Sequence, residues 1–310
     1  HYMESTKIKP LDVLSESQLS EIRKKNDLRN IFALLFDWGL MVLGLYVFYY
    51  YPSILTFLAS VVVIGSRQFA LAVLAHDGAH NLLFSNSKIN DFISQWFCAY
   101  PIFQDNRVYR PYHLKHHRFT ETEEDPDLIL SSPFPINKKS FFRKVVRDLT
   151  GVTGYKRYSS SLVSIFKTEG DNSSGKMSRI WNKIHGFFIV NLIIFVLISL
   201  FFHWSLFFLL WWLPAFTYYS LIIRIRNIAE HCVTPGESDF NNTRTTRASF
   251  LMRFLLAPHR VNYHLEHHLF MMCPWYNLPK AHLMMIENGY KDKMCLEDSY
   301  RNVLSKAVSA

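Results

Sequence analysis

Nine of the fourteen histidines form a pattern with chemical meaning: His76-x3-His80, then His113-x2-His116-His117, then His264-x2-His267-His268, with His231 between the last two clusters. On a helix, positions i, i+3 and i+4 share a face, so each cluster can aim two or three imidazoles at one point. That is metal-ligand spacing. A lone His-x3-His carries little weight, because amphipathic helices contain such pairs by chance, but two copies of His-x2-His-His in one chain do not arise that way. The remaining histidines read as surface or structural: His1 is tag-like, His185 and His203 end an apolar run, and His259 and His282 are isolated.

First-row metals accept four to six ligands, so nine imidazoles imply two ions. Imidazole suits iron, zinc or copper. A structural zinc site needs only four ligands and usually recruits cysteine, whereas Cys98, Cys232, Cys273 and Cys295 are scattered without Cys-x2-Cys spacing and read as reduced thiols. The chain contains neither the Glu-x2-His of soluble di-iron bundles nor the His-Glu-x2-His of metalloproteases. An all-histidine di-iron centre that activates O2 remains. Its imidazoles must be neutral and fixed in tautomer by hydrogen-bond acceptors. The candidates are Asp77, Glu230, Glu266 and the acidic run Glu121, Glu123, Glu124, Asp125 and Asp127, with Asp125 and Asp127 favoured because they directly follow the second cluster.

The elements that must hold these residues are membrane helices. Hydrophobic residues make up 49% of the chain and aromatics 16%, gathered in blocks between basic segments. Residues 31–51, 54–75, 184–203 and 204–223 are each long enough to cross a hydrocarbon core of about 30 Å at about 1.5 Å per residue. Pro52-Ser53 and His203-Trp204 join them as two tight hairpins. Of the 34 Lys and Arg residues, all but Arg67 lie in 1–30, 76–183 and 224–310. By the positive-inside rule these segments, both termini and the histidines are cytoplasmic. The net charge of +9 therefore reflects topology and anionic headgroups, and no nucleic-acid partner is expected. The first thirty residues lack a cleavable apolar region, so no signal peptide is expected, and His1-Tyr2 ahead of Met3 reads as an added leader.

The expected fold is a single all-α membrane domain over 1–310, four spans under a cytoplasmic helical cap of 76–183 and 224–310. His76 to His80 continue the second span, and His231 follows the fourth by one to two turns. Residues 89–104 are apolar but too short to cross and suggest an interfacial segment. Residues 131–180 read as a partly helical connector able to cover the site. Asp37 and Arg67, about 9 Å and about 12 Å inside their spans at about 1.5 Å per residue, are expected to pair and lock the first hairpin, with a substrate role for Arg67 as the alternative.

The sequences HDGAH, HLKHH and HLEHH, in this order and between these spans, resemble the three histidine boxes of the membrane fatty acid desaturase and hydroxylase superfamily. The resemblance covers residues 31 to about 283, and the run from Thr243 to Leu278 is similar to the family's bacterial branch. It departs from front-end desaturases in beginning the third box with His264 rather than Gln, and no fused cytochrome b5 or rubredoxin-like module is expected. Asn227-x3-His231 is similar to the family's additional ligand segment, in which the histidine binds metal and the asparagine reaches it through water.

The resemblance implies two iron ions, O2 as co-substrate and electrons from a separate ferredoxin, rubredoxin or cytochrome-type carrier. It also implies removal of hydrogen from an unactivated C–H bond of a lipid or acyl chain. Desaturation is the leading expectation. Hydroxylation or ketolation of a lipid, alkane or carotenoid, and desaturation of an amino-acid-derived substrate, are the alternatives. A histidine-rich metal transporter is disfavoured, because transporters carry polar ligands near the membrane midplane and the third and fourth spans hold no charged residue.

Overall fold

The computed structural model describes residues 7–167 and 175–309, so His1 and residues 168–174 of the connector lie outside it. Among the described residues, four helices are long and apolar enough to cross a bilayer. The first span is the helix Asp27–Tyr50 and the second the helix Ile54–Ala79. The turn between them is closed by a reciprocal cap: Ser53 Oγ accepts from the Thr56 amide at 3.1 Å, and Thr56 Oγ1 accepts from the Ser53 amide at 3.0 Å. The second span runs on to Ala79 with His80 at its C-cap, so the first histidine cluster is the end of a membrane helix.

The third span, Lys176–Phe201, starts eight residues earlier than hydropathy suggested. Its face meets the segment that follows the second span at Gly186, where a Cβ would lie 2.1 Å from the Tyr100 ring, so only glycine allows that approach. The fourth is not one continuous rod. After Ser205–Phe207 it passes through a wide π-type turn at Phe208–Trp212, then Leu213–Phe216, and restarts past a non-helical Thr217 as Tyr218–His231. His231 therefore terminates this helix rather than following it.

The spans share a core of Met41, Leu45, Ile64, Leu71, Leu74, Ile194, Leu210, Trp211 and Ile222, while Phe32, Leu35, Leu58, Leu200 and Phe201 lie exposed on their outer faces. This inside-out distribution is what four helices in lipid require. Residues 89–104 fold as Ser87–Ile93 followed by tighter and wider turns to Ile102. They are more embedded than expected: Cys98, Ala99, Tyr100 and Ile102 join the main core, and Asn90 donates to the Gly78 carbonyl at 2.9 Å. Ile89, Asp91, Phe92 and Phe97 face outward.

The connector is helical over Lys138–Leu149 and Val152–Lys167. The all-α expectation needs one correction. Ile136–Asn137 pairs in parallel with Val308–Ser309, and Thr245–Thr246 with Leu296–Glu297, short ladders that tie late segments to the polar end of the bundle.

Asp37 and Arg67 do pair, with Arg67 Nη1 3.0 Å from Asp37 Oδ1 and side chains 3% and 0% exposed. A third partner was not legible in the sequence: His259 Nε2 lies 2.6 Å from Asp37 Oδ2, and Arg67 also donates to the Phe254 carbonyl at 2.6 Å. Removing one member of a buried pair strands the other charge, at a cost of roughly 3–5 kcal/mol. Asp37→Asn and Arg67→Gln are each expected to lower the thermal midpoint of the detergent-solubilised protein sharply, and the double variant to lose less than the sum. Strict additivity would show that the pair does not lock the hairpin.

Candidate metal centre

The nine clustered histidines converge at one end of the bundle as two adjoining groups. His76, His80, His113, His117 and His267 form one; His116, His231, His264 and His268 form the other, with ligand nitrogens in each group within 4.8 Å of one another. The second span supplies His76 and His80, the helix Asn106–Phe119 supplies His113, His116 and His117, the fourth span supplies His231, and the helix His264–Leu269 supplies the rest. Residues adjacent in sequence lie about 100° apart on a helix. His116 and His117 therefore serve different groups, as do His267 and His268. The groups touch where the His117 and His268 rings stack at 4.2 Å.

The spacing of the nitrogens tests whether a metal fits. Nε2 of His113 lies 3.1 Å from that of His80 and 2.9 Å from that of His117, which in turn lies 2.9 Å from that of His267. In the other group His264 Nε2 lies 3.2 Å from that of His231 and 3.1 Å from that of His268. A ring nitrogen has one direction in which to give or take a proton, so nitrogens with two such neighbours cannot all be satisfied by hydrogen bonds. Nitrogens about 2.1 Å from a common ion would stand roughly 3.0–3.4 Å apart, which matches. The Nε2 of His76 is buried with no hydrogen-bond partner. The donor set fits a metal pair.

Protonation agrees. Burial first, and neighbouring positive groups second, hold His80, His113, His117, His264, His267 and His268 well below the usual histidine value. They are neutral, with lone pairs available. His116 differs: burial opposes its charge, but the hydrogen bond and charge of Asp125 outweigh burial and raise it.

The acidic residues divide. Asp125 Oδ1 lies 2.8 Å from His116 Nδ1 while Asp125 also accepts from the amides of Glu121 and Asp127. Asp127 Oδ2 is 3.6 Å from the same ring nitrogen, and Tyr112 donates to its other oxygen. Asp77 Oδ1 lies 3.5 Å from His76 Nδ1 and its other oxygen accepts from the Trp275 amide. Glu230 Oε1 is 3.4 Å from His264 Nδ1 and is ion-paired to Arg226.

Glu266 is the exception. It is fully buried but bonds His282 and Thr245 and touches none of the nine histidines. Position 266 falls between His264 and His267 in sequence, which on a helix turns it to the opposite side. It fixes His282 and the chain at Thr245. Of the acidic run, Glu121 also approaches the centre, 4.0 Å from His231 Nδ1.

Asn227 is half-buried one turn before His231, and its Oδ1 accepts from Arg226 Nη2 at 3.1 Å. Other contacts had no sequence signal. Thr120 Oγ1 lies 3.2 Å from His268 Nδ1, the Asn242 carbonyl 3.4 Å from His231 Nδ1, and the Tyr109 ring stacks on His113 at 5.1 Å. Beside the first group is a cavity of about 160 Å³ with Phe69, Ala72, Val73, Ile223 and Leu278 among its apolar walls, and Gln104, Tyr109, Tyr219 and Arg226 as polar points.

Four apolar helices bearing a convergent histidine centre at one end are the arrangement of an integral-membrane oxidoreductase, and the comparisons supply the family. The chain belongs to the fatty acid desaturase family, whose sequence model matches residues 52–295. It is similar to dihydrorhizobitoxine desaturase of Bradyrhizobium elkanii, 29% identical over 244 residues, covering 74% of this chain and 68% of that protein.

Removing a hydrogen-bonding partner of a ligand imidazole lowers metal affinity about 10–100-fold. Asp125→Asn is therefore expected to weaken metal retention during chelator titration to that extent, with Glu266→Gln retaining metal like the parent. Equal retention by all three proteins would remove Asp125 from that role. For the six imidazoles held low, the unfolded chain takes up protons that the folded chain refuses below the ordinary histidine value of 6.5. Metal-free protein should accordingly lose thermal stability as pH falls from 7.5 towards 5.5, and a flat midpoint would contradict neutral buried imidazoles.

Proposed function

We propose that this chain is an O2-dependent di-iron desaturase that places a double bond in an acyl or lipid chain. One observation carries the reading: two adjoining groups of five and four imidazoles beside a cavity, in a chain of the desaturase family. Two irons, when bound, supply the reduction of O2 and the removal of hydrogen from an unactivated C–H bond. In balance, the substrate loses two hydrogens from neighbouring carbons. O2 takes these with two electrons from a separate ferredoxin, rubredoxin or cytochrome-type carrier and two protons from solvent, and leaves as two waters.

The protein's own residues do the rest. His76, His80, His113, His117 and His267 would hold one ion; His116, His231, His264 and His268 would hold the other. Asp125, Asp127, Asp77 and Glu230 fix the tautomer and direction of His116, His76 and His264 through their Nδ1 atoms. Asn227 is assigned to the second ion through a bound water, with Arg226 setting the orientation of its amide. Phe69, Ala72, Val73 and Leu278 present a surface that favours a hydrocarbon and excludes bulk water. The basic segments support a cytoplasmic position for this end of the molecule, at a bacterial inner membrane, where the carrier would dock on positive surface.

A second reading has its own support. The cavity carries Arg226, Tyr109, Tyr219 and Gln104 among its walls, and the similar protein is named for dihydrorhizobitoxine rather than for a fatty acid. A small polar substrate is thus the alternative occupant of the same centre.

Mass spectrometry of lipids and small metabolites from cells with and without the gene separates these cases. Loss of two hydrogens from an acyl chain is expected, gain of one oxygen would make the protein a hydroxylase, and a changed polar metabolite with unchanged lipids would favour the second reading. Purified active protein should hold about two irons per chain, reduced by His116→Ala, His117→Ala, His267→Ala or His268→Ala. Asn227→Ala should keep most iron and lose most turnover, whereas unchanged turnover per iron would remove Asn227 from the centre.

A further inference from the structure

A second recess lies on the other side of the wall that bounds the cavity. It is an open groove of about 550 Å³ between the beginning of the first span, the middle of the second, and the stretch Phe250–Arg260. Its sides are apolar, with Phe32, Phe36 and Phe254, but Arg29, Arg253 and Arg260 stand around it. Among the described residues none of these three arginines has a carboxylate within ion-pair distance. The Arg253 Nε is buried without a hydrogen-bond partner. Burial, and then the positive charge of Arg253, lower the Arg260 guanidinium below its usual value. An unsatisfied buried guanidinium donor is costly unless something anionic completes it.

The wall itself connects the two recesses. His259 and Trp275 line both the groove and the cavity beside the histidines. His259 is fixed by Asp37 at 2.6 Å, and Trp275 donates to Asn30 through its ring nitrogen at 2.8 Å and to Asp77 through its amide at 3.0 Å. His259 and Arg260 both adopt the left-handed backbone conformation, at φ 51° and 57°. Strain of this kind persists where surrounding contacts enforce it, and it turns these two side chains to the wall and the groove rim.

We propose that this groove is the polar-end site of the substrate: Arg253 and Arg260, with Arg29 beside them, hold the carboxylate of a single-chain anionic amphiphile whose hydrocarbon part leads past His259 and Trp275 towards the cavity. The chemistry recognised is an anion at the end of an apolar chain. The wall shared with the cavity beside the histidines favours a single-chain substrate over a lipid bound only as part of the bilayer. The inference rests on the acyl reading above.

Binding tests it without turnover. The full-length protein in non-ionic detergent is titrated with a fluorescent C18 carboxylic acid and with its methyl ester, and the acid is then competed with phosphatidylglycerol and with inorganic phosphate. The acid is expected to bind about tenfold or more tightly than the ester, as one charge-assisted contact provides. R253Q/R260Q should abolish that difference while leaving ester affinity and thermal midpoint unchanged. Equal binding of acid and ester by the parent protein, which needs no variant, would overturn the anion site and leave the acyl reading standing. Failure of both probes to bind would overturn both. Displacement of the acid by phosphatidylglycerol at equal concentration would reassign the groove to a bilayer lipid, and displacement by inorganic phosphate at comparable concentration would reassign it to a free anion; either overturns the proposal.

Discussion

Imidazole lone pairs do not tolerate one another at 3 Å without a cation or proton between them. In this protein His113 and His117 each present one nitrogen to two neighbours at such distances, and the arrangement makes physical sense only around positive charge. Most of the structure around the nine histidines serves to hold that unfavourable convergence. Burial holds His113, His117 and His267 well below the usual histidine value, which removes the option of relieving the repulsion there by protonation and reserves the site for an ion.

The rigidity comes from the membrane. Two spans continue beyond their apolar stretches and end in ligands, at His76 and His80 on one and His231 on the other. A helix anchored over its whole length by core residues such as Leu71 and Ile222 positions its terminal side chains more firmly than a loop can. The helix Asn106–Phe119 places no side chain in an apolar core and is held by polar contacts instead, with Asn106 donating to the Ala75 carbonyl at 2.9 Å. The short helix His264–Leu269 rests on Leu265 and Leu269 in a separate apolar cluster, and Thr245 Oγ1 accepts from the Leu265 amide at 3.2 Å.

Much of this was legible in the residues, and the failures have a common cause. The histidine clusters, the spans and the Asp37–Arg67 pair follow from local periodicity and from the cost of a lone charge in lipid, rules that act within one or two helices. What depends on how distant segments meet was not legible. Nothing in HLKHH or HLEHH tells which neighbour joins which group. Glu266 reads like Glu230 in sequence, yet it faces His282 because its helix turns that side away. His259 looked isolated because its partner, Asp37, lies 222 positions away. The wide turn in the fourth span was hidden because Phe208–Trp212 is as apolar as its flanks.

That turn has a geometric consequence. Each residue of an α-helix advances the face by about 100°, and a π-type turn accommodates one residue more than an α-turn would, so it shifts the angular phase of everything after it. Above the turn, the phase is set by packing, with Leu206 and Phe207 inward and Phe208 outward. Below it, the phase must instead turn His231 towards the other histidines of its group. The insertion at Phe208–Trp212 and the interruption at Thr217 uncouple these two demands. The lipid-packed half of the helix can therefore vary its sequence to suit the bilayer without rotating the imidazole at its far end.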